Sequence, residues 1–439
     1  MRFACRAWNI TPGLRTVAHR ESIARGNFDP MLNIIWVGLF LVAFVTALIR
    51  FVAFGDSGAF NTFISSMFES SKTAFEISLG LTGILALWLG ILKIGERCGL
   101  VAWMSRLIAP LFSRLAPEVP RDHPAMGAMV MNMAANMLGL DNAATPIGIR
   151  AMKALQELNP LKNTASNAQI LFLVINTSSV TLFPITVFTY RAQMGSSNPT
   201  DVFLPILIAT YASTMAGLAS VAMVQRINLL DRVVLAYLGG FTLFMAVVVG
   251  YLAQLDQAEM QRQSALASNF ALCSLVIAFL LISTWKRINA YEAFIDGAKE
   301  GFQTAITIIP YLVAMLVAIG VFRSSGAMDL LVEWIRTLFA LLSIDTRFVD
   351  ALPTALMKPL SGSGARTLML DTMQTAGADS FVGRLVSIVQ GSTETTFYVL
   401  TVYFGAVKIK NMRHALGCGL FADFAGITCG IVVGYWFFG

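Results

Sequence analysis

Nine stretches of this chain are near the length of about 20 residues that a helix needs to cross the hydrocarbon core of a bilayer. They are 31–54, 75–95, 166–190, 202–225, 232–253, 267–285, 302–322, 383–405 and 413–437, and several are nearly free of charge. Charged residues make up 13% of the chain, against about 25% in a soluble globular protein. Mean hydropathy is +0.70. The fold class expected is an all-α polytopic membrane protein with about nine full spans, and the lipid bilayer is its first partner.

The net charge of +6 is spread over loops between the apolar runs, with no clustered basic face, so nucleic acid is not an expected partner. Cys5, Cys98, Cys273, Cys418 and Cys429 have neither metal-ligand nor disulfide spacing, and His19, His123 and His414 form no cluster. No metal site, no cofactor and no enzymatic triad are expected. The first thirty residues are polar and arginine-rich and lack the apolar core of a secretory signal. They read as a basic cytoplasmic tail, and Met31, opening the first apolar run, is a candidate native start.

Between the spans lie shorter apolar stretches, 99–116, 124–140, 326–343 and 348–360, which suit re-entrant or interfacial helices. Residues 146–158 begin with proline and have helical apolar spacing, as a short amphipathic helix would.

The chain also resembles itself. Residues 175–190, INTSSVTLFPITVFTY, align without a gap on 389–404, VQGSTETTFYVLTVYF. Ser178 meets Ser392, Thr181 meets Thr395, and the amide of Asn176 meets that of Gln390. Upstream of each block comes a small-residue loop leading into a helix, then an interrupted stretch, then a full span. Loop charge differs between the halves. Residues 93–123 carry +2 and 323–350 carry −1; 148–165 carry +2 and 366–384 zero; 191–201 carry zero and 406–413 carry +3. The positive-inside rule then puts equivalent loops on opposite sides, which is an inverted repeat with the N-terminus cytoplasmic. Two parallel halves are the alternative, and need one span to be miscounted.

Residues 390–396, six polar residues and a glycine within a membrane run, need a reason. An intramembrane carboxylate such as Glu394 normally faces the protein interior or a cavity. Gly391, beside Ser392, Thr393 and Thr395, marks a place where the helix can break, with hydroxyls capping freed amides. Half-helix N-termini attract anions and freed carbonyls attract cations. The first-half block, Asn176, Thr177, Ser178 and Ser179, offers the same chemistry, with Pro184 beyond it. The bland reading is that these hydroxyls tie helices together. Asn132 and Asn136, four apart, share a helix face. Asp141, Asn142 and Thr145 follow at a turn, where Asp141 is either a helix cap or a site residue. Ser361 and Ser363 lie in a glycine-rich turn whose amides suit an anion. Arg366 would hold a carboxylate or phosphate there, or is an ordinary arginine at the membrane surface.

NMAANMLGLDNAATPIGIRAMKALQELNP (132–160) resembles the signature of the spore maturation protein A family. SGSGAR (361–366), GSTETTFYVLTVYFGAV (391–407) and RHALGCGLFADFAG (413–426) resemble spore maturation protein B. The chain looks like a fusion: an A-like repeat at 31–226, connecting transmembrane helices at 227–287 and a B-like repeat at 288–439. Both halves resemble the nucleoside-recognition, or gate, domain of concentrative nucleoside transporters. The resemblance implies an inner-membrane protein with a transporter-like core, each gate repeat holding a re-entrant or interrupted helix and a broken transmembrane helix. It does not imply a substrate. The first function expected is a secondary transporter of a small polar solute, coupled to a proton or Na⁺ through Glu394 or Asp141. No ATP-binding motif is present. The alternatives are a non-transporting scaffold or assembly factor, a channel, and, least supported, an intramembrane enzyme. Homo-oligomerisation is left open.

Overall fold

The computed structural model describes residues 30–139, 141–178, 181–341, 343 and 345–439, with backbone alone at 30–32 and 141–143. The tail expected at 1–30 therefore lies, but for Pro30, outside the described residues. Those residues fold into helices joined by short loops, with one isolated bridge between Thr164 and Asn411.

Seven helices are long and apolar enough to cross a membrane: α1 (Pro30–Phe54), α2 (Ala59–Arg97), α8 (Phe203–Gln225), α9 (Arg232–Leu252), α10 (Gln257–Trp285), α11 (Ala290–Ser324) and α17 (Ala415–Phe438). The other two of the nine expected spans are broken. The runs at 166–190 and 383–405 are each two half-helices, α6 (Asn167–Ser178) with α7 (Ile185–Gln193), and α15 (Phe381–Ser392) with α16 (Thr396–Ala406). Three other runs are longer helices than their apolar cores suggest. At about 1.5 Å per residue, the 39 residues of α2 outreach the roughly 30 Å hydrocarbon core. Its charged end is paired with the start of α11, Lys93 to Glu300 at 3.0 Å and Arg97 to Asp296 at 2.6 Å.

The element order is the same twice. In the first half α2 is followed by α3 (Leu100–Leu115), the hairpin of α4 (Pro124–Met137) and α5 (Asp141–Leu158), the pair α6–α7, and α8. In the second, α11 is followed by α12 (Ala327–Leu341), a 3₁₀ turn (Arg347–Ala351) with α13 (Leu352–Met357) packed on α14 (Gly362–Ala376), the pair α15–α16, and α17. Helices α3 and α12 leave Trp103, Leu107, Leu330, Trp334 and Leu338 exposed on apolar faces, as interfacial helices do. The helix expected at 146–158 begins five residues earlier, so Pro146 lies inside it, past the first turn, and removes one backbone hydrogen bond there.

Equivalent helices pair with each other, and they run antiparallel. On α11, a Cβ at Gly297 would fall 2.3 Å from the Leu89 carbonyl, at Gly301 2.7 Å from the Ala86 Cα, and at Gly320 2.0 Å from Ser70 Oγ. The contact moves down α2 as it moves up α11. On α17, Ala422 and Gly426 lie against Gly217 and Ser213, and Gly430 against Ala209. Small residues let these backbones approach where lipid gives no hydrophobic drive. Helices α9 and α10 connect the halves and are lightly buried, with Leu243, Val247, Phe270 and Leu281 exposed.

Candidate functional site

Both broken spans stop at the same aligned position. Helices α6 and α15 have 12 residues each and end at Ser178 and Ser392. The break is therefore not at Gly391. That glycine lies within the helix, and a Cβ there would fall 2.9 Å from Ile206, so its small size serves close packing. The hydroxyls also cap differently from expectation. Thr177 donates to the Val174 carbonyl, Ser178 to Ile175 and Ser392 to Val389, so they satisfy carbonyls at the helix C-termini rather than amides. Chain resumes at α7 after Pro184 and at α16 after Thr395.

The two breaks meet. The Glu394 amide, freed by the second, donates to the Thr177 carbonyl at the first, at 2.8 Å. Each hairpin tip reaches the break of its own half. The Leu182 amide bonds the Met137 carbonyl, and the Phe397 amide bonds that of Pro359. Gly362 lies against Thr395. Tyr403 of α16 stacks on Phe172 of α6 at 6.0 Å, and its hydroxyl crowds Gly148 beside the Asn132 amide.

Among the described residues, the amides of the first break are bonded to one another and to backbone. Asn132 donates to the Ala144 carbonyl at 2.8 Å, Asn136 to Asn176 Oδ1 at 2.8 Å and more weakly to Asn132, and Asn176 to the Phe172 carbonyl at 2.7 Å. Thr145 is half-buried in the first turns of α5. The side chains of Asp141 and Asn142, and all of Ser179, lie outside the described residues.

The second break is different. Ser361 caps α14 through the Gly364 amide at 3.1 Å and bonds Ser363, so the expected glycine-rich anion turn is a capped helix start. Arg366 stacks over the buried Tyr190 at 5.4 Å, and Thr395 is buried against Gly362. Glu394 is half-buried, and its carboxylate makes no hydrogen bond or ion pair among the described residues. Gln390 Oε1, Thr393 Oγ1, Thr396 Oγ1 and both carboxylate oxygens of Asp423 are buried without a hydrogen-bond partner. Asp423 on α17 was not among the residues singled out from sequence, although it is the one charged residue of that helix.

A second cluster also escaped the sequence. Arg191, fully buried, bonds Asp201 at 2.8 Å, Asp379 at 3.1 Å and the Ala378 carbonyl at 2.8 Å, and Arg384 bonds Asp201 at 2.8 Å. The network joins the loop after α7 to the loop before α15. Burial alone would raise the Asp379 carboxyl, but hydrogen bonds from Ser196 and Ser197 and the charge of Arg191 hold it down to about 2. The equivalent loops at the other end, 407–413 and 159–166, join instead through backbone: Lys410 and Asn411 amides to the Asn163 carbonyl, and the Ala165 amide to that of Asn411. Of two surface clefts of about 390 and 410 Å³, the first is lined by residues such as Arg114 and Asn228, and the second by Asp201, Arg384 and Arg262, so it abuts the Arg191 network; neither reaches the breaks.

A family model described as nucleoside recognition matches residues 78–194 and 305–410, a region in each half. The chain is 48% identical over 166 residues to spore maturation protein B of Bacillus subtilis (strain 168), covering 38% of this chain and 92% of that protein. It is 41% identical over 188 residues to spore maturation protein A of the same organism, covering 43% of this chain and 92% of that protein. No solved structure matches.

Proposed function

The chain belongs to the nucleoside-recognition Gate family, matched in both halves, and from that premise we infer that it is a secondary transporter of a small polar solute. The observation that carries the reading is the meeting of the two helix breaks, with the Glu394 amide on the Thr177 carbonyl and a hairpin tip at each. Non-helical backbone at membrane depth is tolerated only where protein buries it or a cavity is lined by it. Paired breaks between antiparallel equivalents are the build in which such a carrier binds its solute and exposes it alternately to either side. In this reading the repeat is inverted, the membrane is the bacterial inner membrane, the N-terminus is cytoplasmic, and an ion gradient drives transport.

The test is uptake into proteoliposomes under imposed sodium and proton gradients, screened over nucleosides, amino acids, carboxylates and phosphorylated metabolites. Solute accumulation that collapses with the gradient supports the reading. No gradient-dependent accumulation of any of them, from protein that is folded and correctly inserted, refutes it. A non-transporting scaffold is the second reading, and the bonded amides of Asn132, Asn136 and Asn176 favour it, because they act as helix glue.

A further inference from the structure

One face of α17 lies against α15 and the second break, and it is made of glycine. A Cβ at Gly434 would fall 2.7 Å from Leu385, at Gly430 3.2 Å from Ile388, at Gly426 2.7 Å from the Thr393 methyl, and at Gly419 2.9 Å from the Thr396 methyl. Asp423, four residues after Gly419 and three before Gly426, shares that face and breaks the row. It is 1% exposed, and Thr393 and Thr396 beside it are 3% and 0% exposed. The Thr393 and Thr396 hydroxyls lie within reach of the Asp423 carboxylate, but none of the four side-chain oxygens attains the geometry of a hydrogen bond. Elsewhere at the breaks the hydroxyls of Thr177, Ser178 and Ser392 all find a carbonyl. Buried carboxylates left unbonded are among the costliest groups a membrane helix can hold.

Among the described residues, the charges acting on Asp423 are Lys358, buried at the hairpin tip, and Glu394, in the break itself. Two carboxylates and one ammonium leave one negative charge. A single monovalent cation balances it, whereas a divalent ion would overshoot. The donors are all oxygens, which suit a hard cation. A coordinated ion would engage the Asp423 carboxylate and both threonine oxygens together. The equivalent helix α8 contains no acidic residue, so the first break cannot offer the same ligands.

We propose that Asp423, Thr393 and Thr396 form a sodium-binding site at the second break. The proposal deepens the transporter reading by naming its coupling ion. The test titrates the purified full-length chain in nanodiscs with NaCl against choline chloride at constant ionic strength. It follows apparent Tm and ²²Na⁺ binding, since an ion that binds the native state raises stability. Sodium should raise Tm, and Asp423→Asn should abolish the response. Thr393→Val and Thr396→Val should each weaken sodium about tenfold or more. Should Asp423→Asn fail to fold, the two threonine variants carry the test. Unchanged sodium affinity in both of them overturns the site, and so does a wild-type protein that responds to pH and not to sodium. Sodium binding without solute uptake leaves the site standing and removes the transporter. Proton-driven uptake without sodium binding does the reverse.

Discussion

Replacing Arg191 by methionine should be among the most damaging single changes in the molecule. The guanidinium is fully buried and donates to Pro199, Ala378, Ser196, Asp201 and Asp379. Removing one partner of a buried ion pair costs about 3–5 kcal/mol, because the other charge is left uncompensated. Here Asp201 keeps Arg384, and Asp379 keeps Ser196 and Ser197, so the cost falls at the lower end, about 3 kcal/mol. That is about a hundredfold in the unfolding equilibrium. Asp379→Asn should cost only about 1 kcal/mol, since its side chain is partly exposed and its hydroxyl partners remain. The assay is equilibrium unfolding of the purified protein in mixed detergent and SDS, with the variants side by side. Added salt should change the Arg191 effect little, because a buried pair is poorly screened. An Arg191→Met variant within 1 kcal/mol of wild type, or an Asp379→Asn variant as damaged as Arg191→Met, would refute the assignment of this network as the hold between the halves.

Gly301→Leu should prevent the α2–α11 pair from closing, since even a Cβ there meets the Ala86 and Leu85 backbone within 2.8 Å. Gly83→Leu, on the open side of α2, should be tolerated, and size-exclusion profiles after detergent extraction distinguish the two. Asp379 should make the protein acid-sensitive in a defined window. The unfolded chain takes the proton first, so the stabilisation is whole above about 3.8 and is lost as pH falls through about 2. Tm measured across that range should fall less in Asp379→Asn.

Much of this architecture is legible in apolar run length and in the gapless match of 175–190 on 389–404. The match even places both breaks, because Ser178 and Ser392 are aligned and each ends its half-helix. Where the sequence misleads, the cause is packing. Gly391 looks like a hinge but is small so that Ile206 can approach. The Arg191 network draws on residues 191, 201, 379 and 384, and no spacing rule links positions so far apart. Asp423 was within reach: a lone acid in an apolar span, at helical spacing from glycines, carries its own signal. It is easily passed over because Glu394 sits in a longer and more conspicuous polar block.

Helices α9 and α10 bury little and touch neither break, yet they govern topology through parity. In the inverted-repeat reading each half crosses the membrane an odd number of times, with one long helix, one broken span and one final helix. Two crossings between the halves return the chain to the side where the first half ended, so the second half is threaded in the opposite sense. Deleting both connectors with a long enough loop would keep that sense. Deleting one would send the second half in parallel, set α11 against α2 head to head, and put Lys408, Lys410 and Arg413 on the opposite face of the membrane. This lightly buried pair of helices thus has a role that depends on its number and hardly at all on its sequence.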